Sequence, residues 1–330
     1  ARGADLADAL AGSGIETAAG PEALLDAARR PADWTMSASV GAAGLAPGRE
    51  AARHCGVLAL ANKESLVCAG QLLLDACAAH GTTLIPVDSE HSAIFQVMRG
   101  EDRNHVERLM LTASGGPFRD RTLAQMADVT PDQARAHPNW DMGLRISIDS
   151  ATMFNKALEM IEAQVLFDVA PDRVEVVVHP QSIIHSMVGF TDGSIMAQLG
   201  PSDMRGAIGY ALNFPDRAPL PVDRLDFAAL ARLDFEAEDP ARFPALTLAR
   251  QVMASGGLTG AVFNAAKETA LDAFLDRRIG FLDMARLVAD ALDRLGADAA
   301  SAKAGISLQD VMGYDRKARE FGRLWVQRNV

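Results

Sequence analysis

The most constraining feature of this sequence is a pair of short apolar runs, each followed by polar residues and then by a helical pattern. GVLALA (56–61) precedes NKES and a helical stretch that continues through QLLLDACAAH (71–80). TTLIPV (82–87) precedes DSEH and a second helical stretch, HSAIFQVMRG (91–100). Strands that alternate with helices at this spacing predict a mostly parallel sheet. Ligands on such sheets bind beyond the carboxyl ends of the strands, where NKES and DSEH both lie.

The rest of the chain divides into an α+β region and a helical region. Strand-like runs occur at 37–45 (SASVGAAGL), before a glycine turn, and between 106 and 200, where they include RISIDSAT (145–152). FTDGS (190–194) carries the Asp-Gly pair of a tight hairpin. Residues 213–244 are rich in Pro, Asp and Arg and predict a linker. The apolar spacing beyond it predicts a helical bundle, with helices at 245–254, 259–277, 281–295 and 307–325.

Charge and cysteine content argue against several classes of function. The formal net charge is -11 and the sequence pI is about 5.1, so most of the surface would repel a polyanion such as nucleic acid. No uncharged apolar run approaches the roughly 18 residues that a transmembrane helix needs, so we expect no membrane span. The three cysteines form no C-x-x-C pair, which fits buried thiols in a reducing cytoplasm.

Two acidic residues stand at the end of the second predicted strand. Asp88 and Glu90 are two positions apart, and the period of a strand would turn their side chains to the same side. Two neighbouring carboxylates repel each other unless a cation lies between them. Oxygen ligands favour Mg²⁺ or Mn²⁺ over Zn²⁺. The alternative is a solvated loop that contains two unrelated acids.

The stretch HPNWDMGLRISIDSATMFNKALEMIEA (137–163) carries a polar face beside an apolar one. Asn155 and Glu159 are four residues apart in a predicted helix and therefore share a face. Ser150, Asn155 and Lys156 lie near the expected helix start, and helix N-termini favour anions. The pattern predicts a phosphate cradle, with Glu159 added to the carboxylates. The alternative is an amphipathic helix with a solvated outer face.

Three shorter motifs give weaker indications. The adjacent glycines of TASGGPF (112–118) allow the backbone to approach a ligand beside Ser114, although most such sequences are ordinary turns. The HPNW loop could close over a site, although a single loop Trp often only packs. Lys63 follows a buried strand and would either contact substrate oxygens or lie on the surface. HPQSIIHSMV (179–188) adds polar residues that we expect mainly in the core or behind the site: His179, Ser182 and His185.

Five motifs in one order resemble a single enzyme family. ANKESLV, VDSEHSAIFQ, TASGGPF, HPNWDMGLRISIDSATMFNKALEMIEA and HPQSIIHSMV are similar to the corresponding stretches of 1-deoxy-D-xylulose 5-phosphate reductoisomerases. The resemblance implies NADPH- and divalent-metal-dependent isomerisation and reduction of that phosphosugar to 2-C-methyl-D-erythritol 4-phosphate, in the non-mevalonate isoprenoid pathway. It also implies a homodimer. The implied fold class is α/β, with a truncated Rossmann-like NADPH-binding domain (1–88), an α+β catalytic domain with a flap (89–212), a linker (213–244) and a C-terminal helical bundle (245–330).

The resemblance assigns roles to individual residues. The ligands of Mg²⁺ or Mn²⁺ would be Asp88, Glu90 and Glu159. Substrate contacts would come from Lys63, Ser89, Glu90, Ser114, His137, Ser150, Asn155, Lys156 and Glu159. The residues implied in catalysis are Lys63, Asp88, Glu90, Glu159 and His137. NADPH would touch Asn62, Glu64 and Gly143, and the flap would carry Trp140 and Met142.

The first residues depart from the family pattern. The family's glycine-rich dinucleotide loop and the basic segment that contacts the NADPH 2′-phosphate do not occur here, and AGSGIETAAG (11–20) lacks G-x-G-x-x-G. We therefore expect these 330 residues to bind NADPH weakly and to be impaired in catalysis. Two other functions stay open at this point. One is an NADP oxidoreductase that acts on a phosphorylated sugar without rearrangement, and the other is a non-enzymatic sensor of a phosphometabolite.

Overall fold

The chain forms two separate sheets and a large set of helices. The computed structural model describes residues 3–136, 138–140, 142–302 and 305–329. The strands are β1 (Ala32–Ser37), β2 (Cys55–Leu60), β3 (Thr83–Pro86), β4 (Val106–Ala113), β5 (Val174–Val178), β6 (Ile184–Phe190), β7 (Ile195–Leu199) and β8 (Glu236–Ala237). The helices before residue 170 are α1 (Gly3–Ala9), α2 (Pro21–Ala28), α3 (Leu45–Ala51), α4 (Lys63–His80), α5 (Ser89–Val97), α6 (Leu123–Ala127), α7 (Pro131–Ala134), α8 (Leu144–Ala151) and α9 (Phe154–Phe167). The later helices are α10 (Arg205–Asn213), α11 (Phe227–Leu230), α12 (Ala245–Ser255), α13 (Thr259–Leu275), α14 (Asp283–Ser301) and α15 (Leu308–Asn329).

The first sheet is parallel, with strand order β1-β2-β3. Strands β2 and β3 contain apolar runs whose later residues are buried, as is typical of parallel strands with both faces covered. Leu58 and Leu60 pack toward helices α3 and α4, whereas Ile85 faces the side that Ala211 of α10 covers. Helices α4 and α5 begin directly after β2 and β3, so the predicted alternation of parallel strands and helices is confirmed.

The second sheet is mixed, with strand order β7-β6-β4-β5-β8. Only β4 and β5 are parallel neighbours; the other pairs are antiparallel. The predicted hairpin at 190–194 joins β6 to β7, with Gly193 in the left-handed region at φ 88°. Strand β8 lies inside the predicted linker and pairs with β5, so this segment is part of the second sheet.

Two local predictions were wrong. RISIDSAT forms helix α8 rather than a strand, because its buried residues Ile148 and Ala151 are three apart and lie on one helical face. The strand expected at 37–45 is β1, which ends at Ser37 and is followed by a short 3₁₀ helix at Gly41–Gly44.

The four helices predicted beyond Pro244 are confirmed as α12 to α15. Helix α13 is almost entirely buried and packs against α14, α15 and α4. Its Gly260 lies so close to α4 that a Cβ atom there would be 2.0 Å from the Val67 carbonyl oxygen. The helical region therefore packs directly against the helix that carries Lys63. The domain boundaries stay a prediction. No helix in the described part of the chain is long and apolar enough to cross a bilayer.

Candidate active site

A cavity of about 240 Å³ opens at the carboxyl end of the first sheet. It is bounded by the starts of α4 and α5, by α8 and α9, and by the loops that follow β4 and precede β6. It is lined by all the predicted metal, substrate and flap residues that the structure describes: Lys63, Asp88, Ser89, Glu90, Ser114, Trp140, Met142, Ser150, Asn155, Lys156 and Glu159. His137 lies outside the described residues.

Asp88 and Glu90 reach the cavity from a helix start rather than from a strand, which corrects the period-two prediction. Asp88 is the N-cap of α5, and its Oδ1 atom accepts a hydrogen bond from the Ser89 backbone N–H at 3.0 Å. Glu90 lies in the first turn, where the Ser89 hydroxyl donates to its Oε2 atom at 2.6 Å. Carboxylates are favoured at this position by the free N–H groups of the helix.

Glu159 brings the third carboxylate from helix α9, 69 positions along the chain from Glu90. Its side chain is fully buried. One oxygen from each of Asp88, Glu90 and Glu159 lies within 4.8 Å of the others, which is close enough for one ion to contact all three. The donor set consists of oxygen atoms only, so it fits a hard dication such as Mg²⁺ or Mn²⁺.

Two buried ammonium groups join the three carboxylates. Lys63 contacts Asp88 and lies 3.1 Å from Oε1 of Glu159, and it also donates to Oδ1 of Asn155 at 2.9 Å. Lys156 donates to Oε1 of Glu90 at 2.6 Å and also contacts Glu159. Lys63 is 7 % exposed, so it is not the surface lysine of the alternative interpretation.

The charges and the burial of the cluster shift the pKa values of Glu90 and Glu159 in opposite directions. Burial first, and then the neighbouring Glu90 carboxylate, raise the pKa of Glu159 to about 7. Burial opposes ionisation of Glu90 as well, but the Lys156 ammonium outweighs it and lowers the pKa of Glu90 to about 2. The shifts differ in sign because the Lys156 ammonium outweighs burial at Glu90, whereas burial and the Glu90 charge dominate at Glu159. Of these two carboxylates, Glu159 is therefore the one that takes up a proton more readily.

The lysines stay charged in this environment. Burial alone would lower the pKa of the Lys63 ammonium, but the Asp88 and Glu159 carboxylates outweigh it and raise the pKa of Lys63 well above its ordinary value. Burial likewise opposes the charge on Lys156, and Glu159 and Glu90 together raise its pKa. The cavity therefore presents cationic donors beside anionic ligands.

The predicted phosphate cradle is built from two helices rather than one. Ser150 lies in the last turn of α8, not at a helix start that follows a strand. Met153, at φ 62°, reverses the chain, and α9 then begins so that Asn155 and Lys156 occupy its first turn. The helix N-terminus and the hydroxyl, amide and ammonium donors of these three residues line the same cavity.

The two glycines of TASGGPF determine the shape of the loop that lines the cavity beside Ser150. Gly115 and Gly116 have φ values of 82° and 65°, which non-glycine residues rarely adopt. A Cβ atom on Gly116 would lie 3.0 Å from the Ser150 carbonyl oxygen, so the loop packs directly against the end of α8. The Ser114 hydroxyl accepts a hydrogen bond from the Gly116 N–H at 3.1 Å. Ser114 and Ser150 are thus brought together by a contact that depends on glycine.

The two predicted flap residues line the cavity. Trp140 lies against His185 with ring centroids 6.0 Å apart, and Met142 contributes to the lining. Asn139 tethers this loop, because its amide donates to the Ser182 hydroxyl at 2.9 Å. Gly143 is the exposed N-cap of α8, directly after the loop.

The residues expected to touch NADPH lie beside the cavity rather than in it. The Asn62 amide donates to the Gly41 carbonyl at 3.1 Å and to Oε2 of Glu64 at 2.8 Å, so it holds the loop that follows β1. Burial raises the pKa of Glu64. Residues 11–20 lie between α1 and α2 and follow no strand, as the sequence indicates.

Family models match most of the chain. The model described as 1-deoxy-D-xylulose 5-phosphate reductoisomerase matches residues 2–70, and two C-terminal domain models of the same enzyme match residues 84–167 and 199–321. A 1-deoxy-D-xylulose 5-phosphate reductoisomerase of Jannaschia sp. (strain CCS1) is 61% identical over 315 residues, which cover 96% of this chain and 80% of the relative. That of Rhizobium meliloti (strain 1021) is 62% identical with the same coverage.

This chain belongs to the 1-deoxy-D-xylulose 5-phosphate reductoisomerase family. Solved structures of such reductoisomerases are similar throughout. One from Zymomonas mobilis, in complex with NADPH, has a TM-score of 0.90 at 52% identity and covers 98% of this chain and 83% of its own. Another, in complex with NADPH, fosmidomycin and magnesium, has a TM-score of 0.93 at 38% identity, with coverages of 99% and 84%. The recognition of the reductoisomerase family from sequence motifs is confirmed.

Sequence reasoning missed several residues of the reductoisomerase cavity. Ser182 and His185 line it, whereas only His179 stays behind it, bonded to the Asp234 carbonyl at 2.9 Å. Their signal was present in HPQSIIHSMV but was interpreted as core. Met204 also lines the cavity, and no local pattern marks it. Behind the carboxylates lie two further buried polar residues that no prediction included, His91 and Glu162.

Proposed function

We propose that this chain converts 1-deoxy-D-xylulose 5-phosphate to 2-C-methyl-D-erythritol 4-phosphate, using NADPH and a divalent cation. One observation supports this proposal most strongly. Asp88, Glu90 and Glu159 lie close together in a cavity that is also lined by a helix start and by hydroxyl, amide and ammonium donors. The substrate offers a ketone beside a hydroxyl group at one end and a phosphate at the other. The carboxylate cluster with its cation suits the first end, and the donor cradle suits the second.

The carboxylates fit the cation by charge as well as by distance. Asp88, Glu90 and Glu159 would hold it, and a bound dication supplies Lewis-acid polarisation of the ketone and hydroxyl oxygens. Lys63 and Lys156 neutralise these carboxylates in the structure. Once the carboxylates are neutralised by the ion, both ammonium groups are available to donate to the sugar and phosphate oxygens.

The substrate is held mainly through its phosphate. Ser114, Ser150, Asn155 and Lys156 provide donors for phosphate oxygens and neighbouring hydroxyls, and Ser89 lies beside the metal ligands. Binding energy at this remote group orients the reacting carbons. The flap then excludes water from the polar cluster, which strengthens every charge interaction inside it.

The reduction step requires a hydride, which NADPH supplies when bound. We place the cofactor beyond the carboxyl ends of β1 to β3, where Asn62 and Glu64 follow β2. Gly143, the N-cap of α8, would add a third contact, and a Cβ atom there would meet nothing within 4 Å, so its surface is open to a ligand. Two of the similar structures carry NADPH. The expected weakness of NADPH binding to these residues stays a prediction.

The test is a direct assay at saturating NADPH with Mg²⁺ or Mn²⁺. We expect the phosphosugar to yield the rearranged, reduced product, identified by NMR, and we expect a chelator to abolish turnover. Reduction of the substrate without carbon–carbon rearrangement would contradict the proposal. So would binding of the phosphosugar by the folded, metal-loaded protein without any product.

We further propose that the enzyme acts as a homodimer in the cytoplasm and accepts Mn²⁺ as well as Mg²⁺. Strand β7 is an edge of the second sheet and exposes Ile195 and Met196, which a second copy would cover. Cys55, Cys68 and Cys77 are free and buried, which suits a reducing compartment. Sedimentation should give a dimer for the wild type and a monomer for Ile195→Lys; a monomeric wild type would contradict this.

A further inference from the structure

A second pair of buried polar groups lies directly behind the three carboxylates. His91 is on α5 and Glu162 is on α9, and the two are 0 % and 1 % exposed. The Nδ1 atom of His91 is 3.4 Å from the Oε2 atom of Glu162. Neither atom has a hydrogen-bond partner in the described part of the chain, and Oδ2 of Asp88 lies farther from Nδ1, at 3.9 Å. Buried polar groups are costly unless paired, so a small adjustment that turns this 3.4 Å contact into a hydrogen bond is favoured.

His91 also joins the two helices that carry the metal ligands. Its Nε2 atom lies 3.0 Å from the backbone carbonyl oxygen of Glu159. A carbonyl can only accept, so Nε2 carries a hydrogen. The ring is stacked on Phe167, with centroids 6.2 Å apart and planes 4° apart. His91 therefore fixes α5, which carries Asp88 and Glu90, against the turn of α9 that carries Glu159.

The geometry places one proton between His91 and Glu162. Because Nε2 already carries a hydrogen, Nδ1 either accepts a proton from the Glu162 carboxyl group or donates one to its carboxylate. Both arrangements give one hydrogen bond between the two side chains. That bond determines the orientation of the imidazole ring, and hence the direction of its other hydrogen bond.

The same atoms do not suit a second cation. An oxygen each from Asp88 and Glu162 and a nitrogen of His91 do lie within 4.8 Å of one another. The region holds two ammonium groups, Lys63 and Lys156, and four carboxyl groups: Asp88, Glu90, Glu159 and Glu162. If every carboxyl group is ionised, the net charge of these six side chains is -2. One dication at the first site balances this excess. A second would leave two uncompensated positive charges in a buried region.

We propose that Glu162 is a positioning residue for the metal site. Its hydrogen bond holds the His91 ring, which sets the separation of α5 and α9 and therefore the distance of Asp88 and Glu90 from Glu159. Residues that hold the metal ligands without touching the metal orient those ligands and tune metal affinity. The inference rests on the proposed function, because it concerns the cation of that same site.

The test measures Mn²⁺ binding to the full chain from the EPR signal of free Mn²⁺. It compares the wild type with Glu162→Leu, which removes the hydrogen bond, and Glu162→Gln, whose amide can donate to Nδ1 in the same place. The control is Glu175→Leu, at a glutamate with a 47% exposed side chain on β5. We expect Glu162→Leu to weaken Mn²⁺ affinity about tenfold or more, and Glu162→Gln to stay within about threefold of the wild type.

The outcomes separate the two proposals. A folded wild type that binds no Mn²⁺ overturns the metal site of the proposed function. A wild type that binds Mn²⁺ together with an equally tight, folded Glu162→Leu variant overturns only the role of Glu162. A Glu162→Gln variant as weak as Glu162→Leu also overturns it, because the hydrogen bond would not be the cause.

A second measurement covers the case in which Glu162→Leu does not fold. Histidine ¹⁵N NMR of the wild type, with His91→Gln to assign the signal, reports both ring nitrogens. We expect a hydrogen on Nε2 and a hydrogen-bonded Nδ1. A free Nδ1 would overturn the inference.

Discussion

The ammonium group of Lys156 donates to Oε1 of Glu90 at 2.6 Å, which joins two helices across 66 positions of sequence. Lys156 belongs to the proposed phosphate cradle, and Glu90 belongs to the proposed metal site. The contact therefore unites the two halves of the cavity into one charge network. A change in either half therefore alters the charge balance of the other.

Replacing Lys156 with alanine should weaken binding of phosphorylated ligands selectively. A hydrogen bond to a charged group contributes about 1.5–3 kcal/mol, so we expect affinity for the phosphosugar to fall by about 10- to 150-fold. Binding of an unphosphorylated analogue should change much less. Calorimetric titration of both ligands in the presence of Mn²⁺ measures the difference. Lys317→Ala, at a lysine with a 57% exposed side chain, is the control. Equal losses for both ligands would be evidence against the cradle.

Replacing Glu159 with glutamine should lower metal affinity and turnover together. The amide keeps the size of the side chain but removes a buried anionic ligand. Residues that only hydrogen-bond to a metal ligand cost up to roughly 100-fold in metal affinity when replaced, so the loss of metal affinity here should be larger. Mn²⁺ titration and steady-state kinetics provide the two measurements. Glu175→Gln should match the wild type in both. Unchanged turnover in Glu159→Gln would remove this residue from the metal site.

Replacing Gly116 with alanine should disturb the cradle through the backbone. The left-handed conformation costs a non-glycine residue about 1–2 kcal/mol. The new Cβ atom would also lie 3.0 Å from the Ser150 carbonyl oxygen, so it should displace the end of α8. We expect lower thermal stability and a higher KM for the phosphosugar.

Gly193→Ala is the matched control for the Gly116 variant. Gly193 has φ 88°, and a Cβ atom there would meet nothing within 4 Å. It should lose stability by the conformational cost alone and keep the wild-type KM. A Gly116→Ala variant that also keeps its KM would show that the glycine contact does not position Ser150.

The stability of the interface between α13 and α15 should depend on acid pH. Arg319 of α15 lies 2.6 Å from Oε2 of Glu268 of α13. Burial tends to raise the pKa of Glu268, but Arg319 outweighs it and lowers this pKa below 4.5. As the pH falls, the unfolded chain therefore takes up a proton at Glu268 before the folded chain does. The stabilisation by the Glu268–Arg319 contact is complete above pH 4.5 and is lost as the pH falls through the folded-state pKa.

Urea unfolding of the wild type and Glu268→Gln at several pH values tests this linkage. At neutral pH the variant should be less stable by about 1.5–3 kcal/mol, the contribution of a hydrogen bond to a charged group. The difference should shrink in acid. Glu320→Gln, at an exposed residue of α15, should show no such trend. A difference that is constant across the pH range would contradict the assignment.

The sequence correctly predicted those strands and helices that are marked by a pattern of neighbouring residues. Continuous apolar runs identified β2 and β3, and helical spacing identified α12 to α15. RISIDSAT failed because apolar–polar alternation over four residues fits a short strand and one turn of a helix equally well. Asp88 and Glu90 line the cavity, but a helix start rather than the predicted strand end directs them into it.

The residues that escaped prediction are those whose role depends on tertiary contacts. His91 and Glu162 meet only because α5 packs against α9, 71 positions apart in sequence. Met204 reaches the cavity from the segment before α10, which no sequence motif connects with the carboxylates. Spacing within one element could not have indicated either contact.

The most direct test of the central claim is an anomalous difference map from crystals of this chain grown with Mn²⁺. We predict a single strong peak in contact with carboxylate oxygens of Asp88, Glu90 and Glu159. We also predict that Lys156 no longer bridges Glu90 and Glu159 once the ion is bound. A peak elsewhere in the cavity, or full Mn²⁺ occupancy without Glu159 as a ligand, would contradict it.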